Sequence, residues 1–379
     1  MGRIWIWVLL PAALLAAVLA FLLVGKPLEN LTSSAPPVEE LSVETVRLDP
    51  GLITLDLRAD GSQPISLAQV QVDGAWRDFM QTPEGPIARL GTARVTIPYP
   101  WVQGEAVHIL LLTSTGITFP HTIDVAQATP ALAPATLVEL TVVGLLLGLA
   151  PVAIGLLAYP AMRQAGPGAL RFLLALTVGL LVFLMIDTLT EGLELGAQAV
   201  GRLRGQTLVW IAAFATTAAL LGLGRREGAP PSGLALAWFI ALGIGVHNFG
   251  EGLVVGSALA TGAAALAAFL VVGFVIHNVT EGLAIASPLT AARPALRTFL
   301  GLAALAGVPA VFGVWAGSQA VSPYWSALSF GIGAGAILQV VIEISAWLSR
   351  ENGGLPITRQ TTSGFALGLA LMYGTALFV

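Results

Sequence analysis

From about residue 133 onward the chain is a series of apolar segments separated by short polar loops, and this pattern restricts the fold more than any other feature. The segments cover about 135–158, 170–196, 207–223, 233–258, 264–287, 297–317, 325–348 and 361–378. A helix needs about 20 apolar residues to cross a bilayer, so each segment can span, the third and eighth only marginally. Only 10% of all residues are charged, against about 25% in soluble domains. We predict an all-α polytopic membrane domain of eight helices over residues 133–379.

Arginines in the loops between these segments predict an orientation. The loops on one side carry Arg163, Arg171, Arg225, Arg226, Arg293, Arg297, Arg350 and Arg359, whereas those on the other side carry only Arg202 and Arg204. Cytoplasmic loops are enriched in Lys and Arg. We therefore predict a multi-pass protein of the plasma (cytoplasmic) membrane, in which both ends of the eight-span unit lie outside.

The first 128 residues are predicted to form two further units. Residues 1–30 are a candidate signal anchor, because the apolar run at 4–24 is longer than the roughly 7 to 15 residues of a signal-peptide core; a cleaved signal peptide is the alternative. Residues 36–128 contain short alternating runs bounded by turn formers such as Asp60-Gly61 and Asp73-Gly74. These predict a small extracytoplasmic antiparallel β-sandwich.

One six-residue phrase occurs twice, thirty residues apart, in the fourth and fifth segments. The copies are His247-Asn248-Phe249-Gly250-Glu251-Gly252 and His277-Asn278-Val279-Thr280-Glu281-Gly282. A His and a Glu four residues apart share one helix face, and Asn adds an oxygen nearby. A hairpin that turns at Gly262, midway between the histidines, would bring them level. The phrase predicts two ligand-bearing helices around a divalent cation, with Gly252 and Gly282 as close helix contacts.

The apolar segments also contain acids without basic partners: Glu139, Asp187, Glu191, Glu194, Glu251, Glu281 and Glu343. Every basic residue after 135 is an arginine in a loop. Buried carboxylates must be paired, protonated or bound to metal, so protons and imported cations are the candidates. Asp187 and Glu191 lie in the second segment, in Asp187-Thr188-Leu189-Thr190-Glu191-Gly192, which partly matches the repeated phrase. We predict Asp187, Glu191 and Glu343 to be gates or secondary metal or proton sites.

These motifs resemble the ZIP family of zinc- and iron-regulated transporter-like proteins, and within it the bacterial broad-range zinc uptake branch. That branch carries His-Asn-Phe-Pro-Glu-Gly in its fourth span and His-Asn-Ile-Pro-Glu-Gly in its fifth. The resemblance covers about residues 135–379 and implies an eight-span bundle, a homodimer, and a metal site formed by His247, Asn248, Glu251, His277, Asn278 and Glu281. Gly250 and Thr280 replace the family's prolines, and the sixth segment lacks a supporting glutamate. One metal position is therefore favoured over two.

The predicted function is movement of Zn²⁺, or of Fe²⁺ or Mn²⁺, toward the cytoplasm. The metal is cargo rather than a cofactor, the partners are divalent ions and the bilayer, and no enzymatic activity is expected. The chain has no cysteine, which excludes disulfides and thiolate sites, and its dispersed basic residues predict no nucleic-acid binding. A transport-inactive metal sensor and an intramembrane metal-dependent hydrolase are the alternatives. For the β-domain, metal capture by His108 and His121 is one interpretation; dimer contact or shielding of the entrance is favoured.

Overall fold

The computed structural model describes residues 10, 13–21, 38–130, 133–225, 231–260, 264–319, 322–351 and 357–376. Residues 13–21 are helical. The rest of the predicted anchor at 1–30 and the predicted turn at Gly262 lie outside the described residues.

The N-terminal unit consists of eight short strands in two antiparallel sheets. The strands are β1 (Glu39–Asp49), β2 (Leu52–Gly61), β3 (Leu67–Val72), β4 (Ala75–Arg77), β5 (Met80–Thr82), β6 (Thr92–Pro98), β7 (Val107–Thr113) and β8 (Thr118–Ile123). One sheet has the order β1-β2-β6-β5 and the other β4-β3-β7-β8. Asp73 and Gly74 both have positive φ, as the tight hairpin between β3 and β4 requires.

The two sheets pack face to face through alternate residues of their strands. Ile53, Leu55 and Leu57 of β2 are fully buried, as are Val70 and Val72 of β3, and all five belong to one core cluster. Alternation with a period of two places these side chains on one face of each sheet. The predicted pair of antiparallel sheets is therefore confirmed.

The remaining chain is helical, and we keep the ordinal numbers of the segments for the spans. The helices are Pro134–Gly144 and Ala150–Leu156 (first span), Pro167–Gln198 (second), Gly205–Gly224 (third), Gly233–Ala260 (fourth), Ala264–Ala286 (fifth), Leu296–Gly307 and Pro309–Gly317 (sixth), Pro323–Glu351 (seventh) and Arg359–Ala376 (eighth). A short helix, Tyr159–Gln164, follows the first span.

Seven of the described helical segments are long and apolar enough to cross a membrane, which indicates a multi-pass membrane protein. They correspond to the first seven predicted spans. The eighth helix has 18 residues and is not among the seven, because its first turns carry Arg359, Gln360 and two threonines. The predicted count of eight spans is therefore not confirmed over the described residues.

The spans form two groups of four. The first, fourth, fifth and sixth pack together, as do the second, third, seventh and eighth, and the seventh joins the groups by packing against the fourth. The second and fifth spans meet over a much smaller contact. The two helices that carry the repeated phrase therefore lie in one group, and the second and seventh spans of the other group face them.

Glycines allow the closest helix contacts around the repeated phrase. A Cβ on Gly282 would collide with Val152 O of the first span, and a Cβ on Gly252 with Ala310 O of the sixth. Gly155 and Gly313 make the reciprocal contacts from the first and sixth spans. The predicted structural role of Gly252 and Gly282 is confirmed.

The β-domain contacts the loop between the second and third spans. Glu40 accepts a hydrogen bond from Gly201 N at 2.7 Å, and Arg202 Nε lies 3.4 Å from Asp60 Oδ2. This loop carries the two arginines that the sequence assigns to the side opposite the other eight. The β-domain and this loop therefore share one end of the helical unit.

Candidate metal centre

The fourth and fifth spans bring His247, Glu251 and His277 into one buried cluster. His247 Nε2 lies 3.1 Å from Glu251 Oε1, and His277 Nε2 lies 2.5 Å from the same oxygen. The three side chains are no more than 5% exposed. The i, i+4 spacing provides the first contact within one helix, and the second contact joins the two copies of the phrase. Phe274 packs edge-on against the His277 ring, with centroids 5.5 Å apart.

The geometry of this cluster suits one divalent cation. One ligand atom from each of the three residues lies within 4.8 Å of the other two. Two ligands on one tetrahedral Zn²⁺ lie roughly 3.3–3.6 Å apart, since each bond is about 2.0–2.2 Å. Small side-chain adjustments, including a widening of the contact between Glu251 and His277, would therefore arrange the three atoms around one ion. Two imidazoles and one carboxylate are ligands that borderline first-row metals accept.

Hydrogen-bonding contacts of Glu251 fill the space between the three candidate ligands. Glu251 Oε1 faces both imidazole nitrogens, and Glu251 Oε2 accepts a hydrogen bond from Asn278 Nδ2 at 3.0 Å. A neutral imidazole that binds metal through Nε2 must carry its proton on Nδ1. Metal binding at this cluster must therefore displace the protons shared between Glu251 and the two rings.

The other three predicted ligands surround a second set of buried oxygens. Asn248 Nδ2 donates to Ala306 O at 3.0 Å, and Asn278 Nδ2 also donates to Leu147 O at 3.1 Å. Asn248 lies beside the Glu281 carboxylate. The Oδ1 atoms of both asparagines are buried and accept no hydrogen bond from any described residue. Both oxygens of Glu281 are buried too, and the Asn248 side chain is their polar neighbour. The group of mutually close ligand atoms thus comprises His247, Glu251 and His277. Glu281 is not one of its members but lies near enough to Glu251 for the two carboxyl groups to interact.

A cavity of about 340 Å³ opens onto the cluster. It is lined by His247, Glu251 and His277, and also by Asp187 and Glu191 of the second span. Asp187 is exposed and Glu191 is partly exposed. The partial match to the phrase in the second span therefore lines the same cavity as the two full copies.

Glu343 lies elsewhere and has a protein counter-ion. It is fully buried in the seventh span, and Arg225 Nη2, at the end of the third span, lies 3.6 Å from Glu343 Oε1. Glu343 does not line the cavity at the cluster. The expectation that no membrane acid has a basic partner is thus wrong for Glu343, because the long arginine side chain reaches back from the loop. Glu139 and Glu194 are exposed.

The two histidines of the β-domain do not form one site. His108 is exposed, and its Nδ1 lies 3.2 Å from Thr122 Oγ1. His121 pairs with Ile109, a core residue of the neighbouring strand. Its side chain therefore lies on the same face of the sheet as Ile109 and on the face opposite to His108, and burial there lowers its pKa. The sheet geometry therefore gives His108 and His121 no shared site, and metal capture by either histidine stays a prediction.

Sequence reasoning missed the main-chain oxygens of Leu147 and Ala306, which hold the two asparagines of the phrase. A signal for them exists. Pro151 and Gly155 in the first span have the same four-residue spacing as Pro309 and Gly313 in the sixth. These positions mark the two helices that pack behind the site.

No protein-family model matches this chain, and no curated protein matches it. The resemblance to ZIP transporters therefore rests on the repeated phrase and on its context in the spans.

Proposed function

We propose that the protein is a divalent metal transporter of the ZIP type. The observation that carries the proposal is the buried cluster of His247, Glu251 and His277, built from two copies of one phrase on adjacent helices and opening onto a cavity. Ionisable groups inside a membrane span are costly and mark ion pathways. Two imidazoles and a carboxylate accept Zn²⁺ and Fe²⁺, and Mn²⁺ is a further candidate; Zn²⁺ is the proposed cargo.

The cavity gives the cation a route to the cluster. Asp187 and Glu191 attract the cation, and Glu251 binds it together with the two histidines. The buried oxygens of Glu281 and of the two asparagines then provide a next position beside Glu251. Because Glu251 contacts both imidazoles and Asn278, it is the residue through which the ion is handed over.

Alternating access follows from the two groups of spans. The cluster belongs to the group of first, fourth, fifth and sixth spans, and the cavity lies between this group and the second and seventh spans. Transporters open their central site to each side in turn by moving one helix group against the other. With the arginine-rich loops in the cytoplasm, transport runs toward the cytoplasm, and a homodimer is the expected assembly.

Metal uptake in a strain that lacks its own importers tests the proposal. We expect His277→Ala and Glu281→Ala to abolish Zn²⁺ accumulation, whereas His108→Ala, on the β-domain surface, should accumulate zinc like the wild type. Unchanged accumulation in the first two variants would contradict the proposal. Zinc binding without flux in proteoliposomes would favour the sensor, and hydrolysis of a membrane substrate would favour the hydrolase.

A further inference from the structure

Two proline-containing helix breaks meet directly behind the metal centre. In the first span a π-helical turn, Leu145–Leu149, precedes Pro151; in the sixth span the helix is interrupted at Val308, before Pro309. The two breaks touch, since a Cβ on Gly148 would collide with Gly307 O and a Cβ on Gly307 with Leu149 Cα. The repeated helices therefore pack against a second, similar pair.

Pro151 leaves a carbonyl that the phrase uses. Proline has no N–H, so residue 151 cannot donate to Leu147 O, its partner in a regular α-helix. Asn278 Nδ2 donates to this oxygen at 3.1 Å, and the same nitrogen donates to Glu251 Oε2 at 3.0 Å. One amide group thus joins the break in the first span to the central carboxylate.

Pro309 acts in the sixth span through the carbonyl that precedes the one used by Asn248. It cannot donate to Leu305 O, and this carbonyl lies against Gly245 of the fourth span, where a Cβ would collide with it. The next carbonyl, Ala306 O, accepts a hydrogen bond from Asn248 Nδ2 at 3.0 Å. Each asparagine of the phrase is thus held by a carbonyl at a proline break.

Holding the nitrogen of an amide fixes the direction of its oxygen, because the group has one donor end and one acceptor end. Both Oδ1 atoms are buried and accept no hydrogen bond from the described part of the chain. A buried acceptor without a partner costs about 1–3 kcal/mol. A hydrogen-bond donor or a cation must therefore bind these oxygens during the transport cycle.

We infer that Pro151 and Pro309 are positioning residues of the metal site: the carbonyls at their helix breaks bind the Asn278 and Asn248 nitrogens and so present the amide oxygens to the cation. The inference rests on the proposed function, because it assigns these oxygens to the transported ion. The two motif helices themselves contain no proline at Gly250 or Thr280, and the neighbouring helices supply the breaks instead.

Side-chain amide spectroscopy tests the hydrogen bonds without metal. The chain has only four asparagines, so selective ¹⁵N-asparagine labelling gives few NH₂ signals, which Asn248→Ala and Asn278→Ala assign. Pro151→Ala restores an N–H to Leu147 O and should shift the Asn278 signals while the Asn248 signals stay. Pro309→Ala restores an N–H to Leu305 O and, by closing the break beside Ala306 O, should shift the Asn248 signals while the Asn278 signals stay. Each proline therefore serves as a test if the other variant fails to fold. Pro167→Ala, at the first turn of the second span, should shift neither.

Zn²⁺ affinity of the purified full chain tests the consequence. Pro151→Ala should weaken binding by about tenfold, as loss of a supporting hydrogen bond typically does, and should add nothing in the Asn278→Ala background. Equal losses in both backgrounds, or unmoved Asn278 signals, would overturn the positioning role. Absence of Zn²⁺ binding by the wild type would overturn the proposed function and the assignment to a cation, even if the amide signals respond as expected.

Discussion

At the scale of single residues, Glu251 concentrates the interactions of the site. One of its oxygens faces two imidazole nitrogens and the other accepts from Asn278. A carboxylate in this position can exchange N–H donors for a cation without being left unpaired. Metal binding must also depend on pH, since neither a protonated carboxyl group nor a protonated imidazole binds the ion.

Zn²⁺ affinity of the purified protein should fall as the pH falls. A protonated imidazole ring has no lone pair for metal, and a metal ion therefore competes with protons for its ligands. Two histidines must be neutral to bind together, so we expect affinity at pH 5.5 to be at least about tenfold weaker than at pH 7.5. Titration with Zn²⁺ at both pH values measures this. Equal affinity at the two values would exclude His247 and His277 as joint ligands.

Asp187 and Glu191 are expected to affect the supply of metal more than its final binding. Asp187→Asn and Glu191→Gln should lower the rate of zinc uptake into proteoliposomes at limiting zinc, because they remove negative charge from the cavity, which raises local cation concentration. Equilibrium affinity should stay near the wild-type value. Glu194→Gln, an exposed acid of the same span, is the matched control. Unchanged rates in the first two variants would remove these residues from the route.

The residues of the central cluster could be predicted because they follow from helix geometry. The repeated His and Glu spacing indicates His247, Glu251 and His277 without knowledge of the packing. The roles of Asn248 and Asn278 could not be predicted, because they depend on which carbonyl each amide meets in another span. The partner of Glu343 was missed for a similar reason. The sequence places Arg225 in a loop but does not show that its side chain extends back to Glu343.

At the scale of helices, close backbone contacts hold the phrase in place. Gly282→Ala should lower stability by about 1–3 kcal/mol, the usual cost of overpacking, because its Cβ would collide with the first span. Gly222→Ala has no atom within 4 Å of the new Cβ and should be neutral or slightly stabilising, since alanine favours helices. Thermal unfolding in detergent compares the two variants. Equal unfolding temperatures would show that the first and fifth spans can separate freely.

The ion pair between Arg225 and Glu343 joins the third and seventh spans. Arg225→Ala leaves a buried carboxylate without its cation and should destabilise the protein by about 1–3 kcal/mol. This is less than the roughly 3–5 kcal/mol for fully buried pairs, because Arg225 is 41% exposed. Adding Glu343→Gln should recover part of the loss. Thermal unfolding of both variants measures it, and additive losses would contradict the pairing.

Element positions could be predicted better than element shapes. The lengths of the apolar segments predicted the positions of the first seven spans, because a helix must have a minimum length to cross a bilayer. The interruptions in the first and sixth spans could not be located from hydropathy, since both segments are continuously apolar. Their prolines signalled a break, but the form of each break depends on the contact between Gly148 and Gly307.

At the scale of the whole molecule, the β-domain and the loop at Gly201 must lie on one side of the membrane. The chain has no cysteine, so an introduced cysteine reports on one position alone. Thr115→Cys in the β-domain should react with a membrane-impermeant maleimide in intact cells, whereas Gly166→Cys should react only after permeabilisation. The reverse labelling would overturn the orientation predicted from the arginines.

The grouping of the spans could not be read from sequence. Several spans are apolar around most of their surface, so periodicity does not say which face meets which neighbour. The β-sandwich was easier, because alternation and the Asp73-Gly74 turn specify a sheet locally. What the sequence could not specify was its contact with Arg202, which depends on the fold of both units.

Zinc content of the purified full chain tests the central claim most directly. We predict at least one Zn²⁺ per chain in the wild type and in Glu194→Gln, and its loss in Glu251→Gln, which keeps the size of the side chain but removes the charge that binds the ion. Equal zinc content in all three proteins, or none in the wild type after exposure to Zn²⁺ at pH 7.5, would contradict a metal centre at His247, Glu251 and His277.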